Sequence, residues 1–233
     1  MGNVVDERTG VRSDPLAVAL RPMELSDVDL AVELHVSQLP PGFFVQLGPR
    51  FLAAYYRSYL TSPAAISLIA VIDGVTAGFL VGTTDRNAHY RHVARHGRRR
   101  LAAVGAVALV RDPVMLVRFV RTRSARYARG LLRFASQQPD SSQAWDAAVL
   151  SHVAIDPRYR RRSAASALVG SFEAIAASSG ARAAHVLTRR NNDPARRLYE
   201  ARGWVVSGEQ IDVDGHHWCS MEKALVPARA PKP

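Results

Sequence analysis

Residues Val153–Val169, VAIDPRYRRRSAASALV, decide how the chain is read. An apolar strand through Val153, Ala154 and Ile155 meets an Asp-Pro turn, then three consecutive arginines, then a run of small residues that suits a helix. The first amides of a helix have no partners within it, and the positive end of the helix dipole lies among them. A strand, turn and helix of this composition is therefore a ready anion site. Arg160, Arg161 and Arg162 reinforce it, and arginine donates bidentately to phosphate, which favours Arg160 and Arg162 as side-chain contacts. Further on, Asn191–Trp204, NNDPARRLYEARGW, reads as a second short helix carrying Tyr199. The two segments together point to an enzyme that uses a phosphorylated cofactor.

They resemble the motifs of the GNAT superfamily of acetyl-CoA-dependent N-acetyltransferases. That pattern is Gln or Arg, two residues, Gly, one residue, then Gly or Ala, and it falls on Arg160, Arg161, Arg162, Ser163, Ala164 and Ala165. The preceding Ile155–Arg160 (I-D-P-x-Y-R) supports it. So does N-x-x-A-x-x-L-Y-x-x-x-G-W, from Asn192 through Ala195, Leu198 and Tyr199 to Trp204. One position departs from the pattern: Ser163 stands where glycine is usual. Serine bears a steric cost if a positive φ is required, although its hydroxyl suits a helix N-cap.

The resemblance implies an α/β fold with a GNAT-like mixed, mostly antiparallel central sheet flanked by helices. It also implies direct transfer of an acetyl group from acetyl-CoA, as cosubstrate, to an amine acceptor in a ternary complex, without a metal. By that similarity the amides of Arg161, Arg162, Ser163, Ala164, Ala165 and Ser166 hold the pyrophosphate, and Asn192 positions the cofactor arm or the turn. Main-chain amides near Val153, Ala154 and Ile155 polarise the thioester carbonyl, where preorganised donors meet a developing oxyanion. Tyr199 becomes the general acid for the departing thiolate: a thiol titrates near 8.5 and a phenol near 10, so a neutral hydroxyl can return the proton. Phe43 and Phe44, in the loop that borders the acceptor site in the family, are candidates for substrate contact. Many relatives place a glutamate on the strand before the turn, but Ala147–Ile155, AAVLSHVAI, has none. His152 is the nearest titratable group there and is the candidate base, with an ordinary pKa near 6.5. Asp146, Asp85 and a water chain stay open as alternatives.

Composition bounds the rest. The chain has 233 residues, 48% hydrophobic and 22% charged, as for one ordinary globular domain with room for an insertion. A single cysteine, Cys219, excludes an internal disulfide, fits a reducing compartment, and lies in an alternating stretch that reads as strand. Glycine follows the initiator methionine, but Asp6 replaces the Ser or Thr of a myristoylation site. The longest apolar run, Leu101–Val110, is about half of what spans a bilayer. A cytoplasmic protein is the expectation.

The net charge of +11 is local. Between Arg86 and Arg133 there are 13 arginines and one acid, Asp112, so this segment accounts for the whole surplus. Only Lys223 and Lys232 are lysines, a bias that reads as genome composition. The segment divides at Pro113 into two predicted helices, Arg98–Arg111 and Val114–Gln137, the second basic and amphipathic with Leu116, Phe119, Val120, Tyr127, Leu131 and Phe134 at helical intervals. An alternative function follows: a basic binding module for an anionic partner (lipid, nucleic acid or acidic protein) with vestigial acyl-CoA binding. No zinc spacing or nucleic-acid signature supports a specific nucleic-acid reader. Membrane-surface contact through the basic helix is not favoured over packing of its apolar face on the domain.

Along the chain, residues 1–14 read as a disordered leader, 15–226 as one N-acetyltransferase domain with a helical insertion at about 87–143, and 227–233 as a tail. Leu16–Leu20 is the expected first strand, Ser26 the cap of the first helix, and Pro40–Phe44 a loop. Phe51–Leu60 is a helix whose Phe51, Tyr55 and Tyr59 form an aromatic stripe, read as core. Asp73-Gly74 joins two apolar runs as a hairpin. The next strand spans Asp146–Ile155, a helix ends at Gly180, and Ala183–Thr188 is another strand. Asp193 and Pro194 open the second motif helix, and Asp214-Gly215 closes a last hairpin.

Overall fold

The Asp73-Gly74 turn takes the conformation that its sequence predicts. Both residues have positive φ, 52° and 75°, and they join β2 (Ala65–Ile72) to β3 (Val75–Thr83) as an antiparallel pair. This computed structural model describes residues 18–40, 42–112, 114, 116–117, 147–212 and 214–225. Around the hairpin stand β1 (Ala19–Pro22), β4 (Ala147–Ile155), β5 (Ala183–Arg189), β6 (Val205–Ile211) and β7 (His217–Ala224). The seven strands form one sheet in the order β1-β2-β3-β4-β5-β7-β6, antiparallel except where β4 lies beside β5.

Helices cover both faces because the strands are apolar on both. On one face lies α6 (Ala164–Ser178), whose Leu168, Val169 and Phe172 pack over Leu80, Leu150 and Ile155. On the other lie α1 (Val28–Gln38) and α3 (Pro49–Thr61), whose Val32, Leu52 and Tyr56 pack over Ile69, Phe79 and Ala154. Cys219 is buried in β7, as the strand reading expects. No described helix is long and apolar enough to cross a membrane.

Several local expectations are corrected. The first strand spans Ala19–Pro22, where it pairs with Leu68–Val71, two residues beyond the end of the expected run. Ser26 does not cap the first helix. A 3-10 turn, Leu25–Asp27, precedes α1, and Glu24 and Asp27 cap each other reciprocally, because the chain turns two residues earlier than Ser26 would require. Phe43 and Phe44, expected as the end of a loop, instead begin a short helical turn, α2 (Phe43–Gln46), closed from the Gly42 carbonyl. In the insertion, α5 (Arg98–Arg111) has the predicted bounds, but α4 (Arg86–His92) and a π-turn, Val93–Gly97, run into it unforeseen. Apart from Val114, Leu116 and Val117, the second basic helix lies outside the described residues, as do the leader, the tail and Asp146.

β4 carries two irregularities. Val81 pairs with His152 while Gly82 pairs with Leu150, so Ser151 is an extra, bulged residue. Gly82 is required opposite the bulge: a Cβ there would lie 2.6 Å from the Phe172 ring and 2.7 Å from the Val149 carbonyl oxygen. Beyond the bulge, β4 and β5 part. Their pairing covers only Ala147–Leu150 with Ala183–Val186, although β4 continues to Ile155 and β5 to Arg189.

Candidate active site

Asp156 shapes the exit from β4. Its amide donates to the Ala77 carbonyl at 2.8 Å, and its carboxylate accepts from the Arg158 amide at 2.9 Å and the Arg158 guanidinium at 2.6 Å. Those bonds from Arg158 hold the carboxyl below its ordinary range. The turn then passes through Arg161 and Ser163 at φ 61° and 60°. Left-handed backbone turns successive amides toward one concavity, the geometry that binds anions. Every main-chain amide from Arg161 to Ser166 lacks an acceptor among the described residues, and the first bond of α6 runs from Ala167 N–H to the Ser163 carbonyl at 2.9 Å. Ser163 therefore adopts the conformation that glycine would occupy without strain, and its hydroxyl does not cap the helix.

The arginines divide differently from the expectation. Arg160 donates to Gln38 Oε1 at the end of α1 (2.6 Å), and Arg162 pairs with Asp73 in the β2–β3 turn (3.1 Å). These two tie the turn to its neighbours, and Arg161 is the one of the three whose side chain has no partner among the described residues.

Where β4 and β5 part, strand alternation decides which amides are free. Asp156 N–H faces β3, so the amide of Ala154 also faces β3, while those of Val153 and Ile155 face the gap. Of the three expected donors, Ala154 is thus occupied in the sheet, and its side chain is buried against α1 and α3.

After β5 the chain enters α7 (Asp193–Ala201). Asn192, not Asp193, is its cap, accepting from Ala195 N–H at 3.3 Å, so that side chain fixes the turn. Tyr199 is buried against Trp204, with ring centroids 5.4 Å apart, and burial raises its phenol well above the ordinary range. Its hydroxyl makes no hydrogen bond among the described residues and is not among the sealed, unpartnered polar atoms. Glu173 of α6 anchors this region, accepting from Trp204 Nε1 (2.7 Å), Arg202 Nε and Nη2 (3.1 and 2.9 Å) and Lys223 Nζ (2.7 Å). Sequence reasoning missed this clamp, whose partners lie 29 to 50 residues away.

On the opposite face, the bulge turns the neighbouring Ser151 and His152 side chains toward α3. His152 Nε2 bonds the Tyr55 hydroxyl (3.1 Å), Tyr55 bonds Tyr59 (2.7 Å), and Tyr59 donates to Ser151 Oγ (3.1 Å). His35 lies with its ring 4.8 Å from that of His152 and bonds Tyr56 through Nδ1. Burial pushes His152 down to about 3, with a smaller contribution from His35, and burial pushes His35 down to about 4, so both imidazoles are neutral at pH 7. Phe44 packs on Tyr55 at 5.0 Å and so joins this cluster; Phe43 stands behind it, 6.4 Å from Phe44. Asp85, an alternative base, instead caps α4 through Ala88 N–H at 2.9 Å. Sequence reading took the tyrosines as packing, and their spacing carried no other signal.

The model of the Acetyltransferase (GNAT) family matches residues 128–204, a stretch that includes β4, the turn, α6, β5 and α7. Among solved structures, Ard1 from Thermoplasma volcanium is similar at 16% identity and a TM-score of 0.56, over 90% of this chain and 99% of that one. The ribosomal-protein-S18-alanine N-acetyltransferase from Escherichia coli is similar at 13% identity and a TM-score of 0.53, over 93% and 99%. The yncA protein of Salmonella typhimurium, solved with its cofactor acetyl-CoA, gives 12% and 0.57, over 93% and 98%. At these identities the likeness carries the fold. No curated protein matches the sequence significantly.

Proposed function

We propose that this chain, an acyltransferase carrying a GNAT acetyltransferase domain, moves an acetyl group from acetyl-CoA to an amine by direct attack within a ternary complex. The observation that carries this reading is the unbroken run of amides from Arg161 to Ser166 without partners among the described residues, at the N-terminus of α6 and beside the gap between β4 and β5. Such a run fits the pyrophosphate of coenzyme A, with the Arg161 side chain adding a charge-assisted donor. The amides of Val153 and Ile155 would receive the thioester oxygen as it gains charge. Holding both reactants in one cleft supplies on the order of 7 kcal/mol or more by making the attack effectively unimolecular.

Tyr199 is the acid in this reading. Its raised pKa keeps the phenol protonated at neutral pH, so it has a proton to give to the departing thiolate. His152 is the base in this reading: burial lowers its pKa, which keeps the imidazole neutral and its lone pair available at a cost in basicity, and its Nδ1 has no partner among the described residues and is not sealed from solvent. Phe44 and the tyrosines beside His152 make the acceptor side apolar and aromatic, with Phe43 as a more distant contact.

Thiol release from acetyl-CoA, screened against a panel of amines, tests the proposal. An accepting amine should release thiol with the unaltered protein, and Tyr199→Phe should lower kcat by about 100-fold with little change in KM for acetyl-CoA. Tight acetyl-CoA binding with no acylation of any amine would overturn the transfer step.

A further inference from the structure

The hydrogen bonds around His152 can be read in one direction only. A tyrosine hydroxyl has a single proton to donate. Tyr59 spends its proton on Ser151 Oγ, so in the bond between Tyr55 and Tyr59 the donor is Tyr55. Tyr55 then has no proton left for His152, and the 3.1 Å contact requires His152 Nε2–H to donate to the Tyr55 oxygen. The order is His152 Nε2–H to Tyr55, Tyr55 to Tyr59, and Tyr59 to Ser151. The neutral ring therefore carries its lone pair on Nδ1, the nitrogen without a partner among the described residues.

We infer that Tyr55, Tyr59 and Ser151 are positioning residues that fix the tautomer of His152, presenting an unprotonated Nδ1 to the acceptor amine. The inference rests on the reading of His152 as the base. In the reaction, the proton leaving the amine nitrogen goes to Nδ1, while the Nε2–H of the resulting imidazolium stays bonded to Tyr55. The bulge is part of the device, because it brings Ser151, the last acceptor in the chain of bonds, onto the same face as His152. Among the described residues, the rings facing His152 are the imidazole of His35 from α1 and the phenols of Tyr55 and Tyr56 from α3, none of which is charged at neutral pH.

The order of donors makes an unusual prediction for residues that do not touch the imidazole. With Ser151→Ala, Tyr59 loses its acceptor, and a buried donor left unmade is costly. Its hydroxyl turns to Tyr55, the Tyr55 proton turns to His152 Nε2, and the histidine switches to its Nδ1–H form. Tyr59→Phe produces the same switch by a different deletion.

Nitrogen-15 NMR of the histidine side chains in the full chain near neutral pH reads this directly. The unaltered protein should show His152 with Nε2 protonated and Nδ1 bare, and both variants should show the reverse. Their kcat with an accepting amine should fall about tenfold or more, with KM for acetyl-CoA unchanged. A protonated Nδ1 in the unaltered protein overturns the inference, as does a bare Nδ1 retained in folded Ser151→Ala. The spectrum needs no turnover, so it decides the tautomer even if every amine fails. The expected tautomers with undiminished kcat in both variants would overturn the positioning role and leave acetyl transfer standing.

Discussion

Removing the acceptor at Glu173 should loosen α6, the helix whose N-terminus carries the proposed anion site. The carboxylate is buried on α6, with each oxygen taking two donors: Trp204 Nε1 and Arg202 Nε on Oε1, and Arg202 Nη2 and Lys223 Nζ on Oε2. Glu173→Gln keeps the shape but places an amide NH2 against one pair of donors and leaves two cations without a counter-charge. Breaking a buried pair in this way costs about 3–5 kcal/mol. Arg202 and Lys223 keep 22% and 24% side-chain exposure and can turn partly to water, which sets the expectation at the low end, about 3 kcal/mol. For a chain of this size that is a fall in Tm of roughly 6–12 °C. The pH dependence has a definite sign. Burial raises the Glu173 pKa, but the bonds from Arg202, Lys223 and Trp204 outweigh it and hold the pKa below the ordinary 4.5. The stabilisation is therefore complete above pH 4.5 and is lost as pH falls through the lower folded value. Denaturant titrations at pH 7 and pH 3.5 measure both effects. The charge argument also requires that Lys223→Met be less damaging in the Glu173→Gln background than alone. Full additivity of the two changes, or a loss under about 1 kcal/mol for Glu173→Gln, would refute the reasoning.

Three further outcomes follow from the same geometry. Gly82→Ala places a Cβ 2.6 Å from the Phe172 ring and 2.7 Å from a backbone oxygen that cannot swing aside; the expected loss is about 1–3 kcal/mol by denaturation, and a neutral result would contradict the register at the bulge. Ser163→Gly relieves left-handed strain of about 1 kcal/mol but frees the unfolded chain by a similar amount, so thermal melting should shift little. Ser163→Val, branched at the same positive φ, should weaken acetyl-CoA binding by about tenfold in calorimetry through displacement of the turn.

The parts of the fold that a local pattern determines were legible in the sequence. The Asp73-Gly74 hairpin, the strand, turn and helix through Val153–Val169, and the bounds of Arg98–Arg111 each depend on neighbouring residues, and each formed as read. Ser26 was misread as a cap, and the second motif helix starts at Asp193 as expected but is capped by Asn192, because several polar residues adjoin each helix start and the turn geometry selects which of them reaches a free amide. The strand-to-helix turn was legible, but which arginine side chain stays unpaired among the described residues depended on Gln38 and Asp73, 122 and 89 residues distant. The surroundings of His152 were the least legible. Nothing in AAVLSHVAI marks the bulge at Ser151, since the required glycine, Gly82, sits on the neighbouring strand. The bond between His152 and Tyr55 spans 97 residues, so an aromatic stripe read correctly as packing also proved to be a hydrogen-bonded chain.

The central claim is that the turn before α6 holds coenzyme A through its backbone. Amide NMR of the full chain, titrated with coenzyme A, tests it without any acceptor. The amides from Arg161 to Ser166, which lack partners in the structure, should move together and gain protection from exchange as the ligand saturates. Saturable binding that leaves those amides unmoved, or no binding at all, would contradict the account.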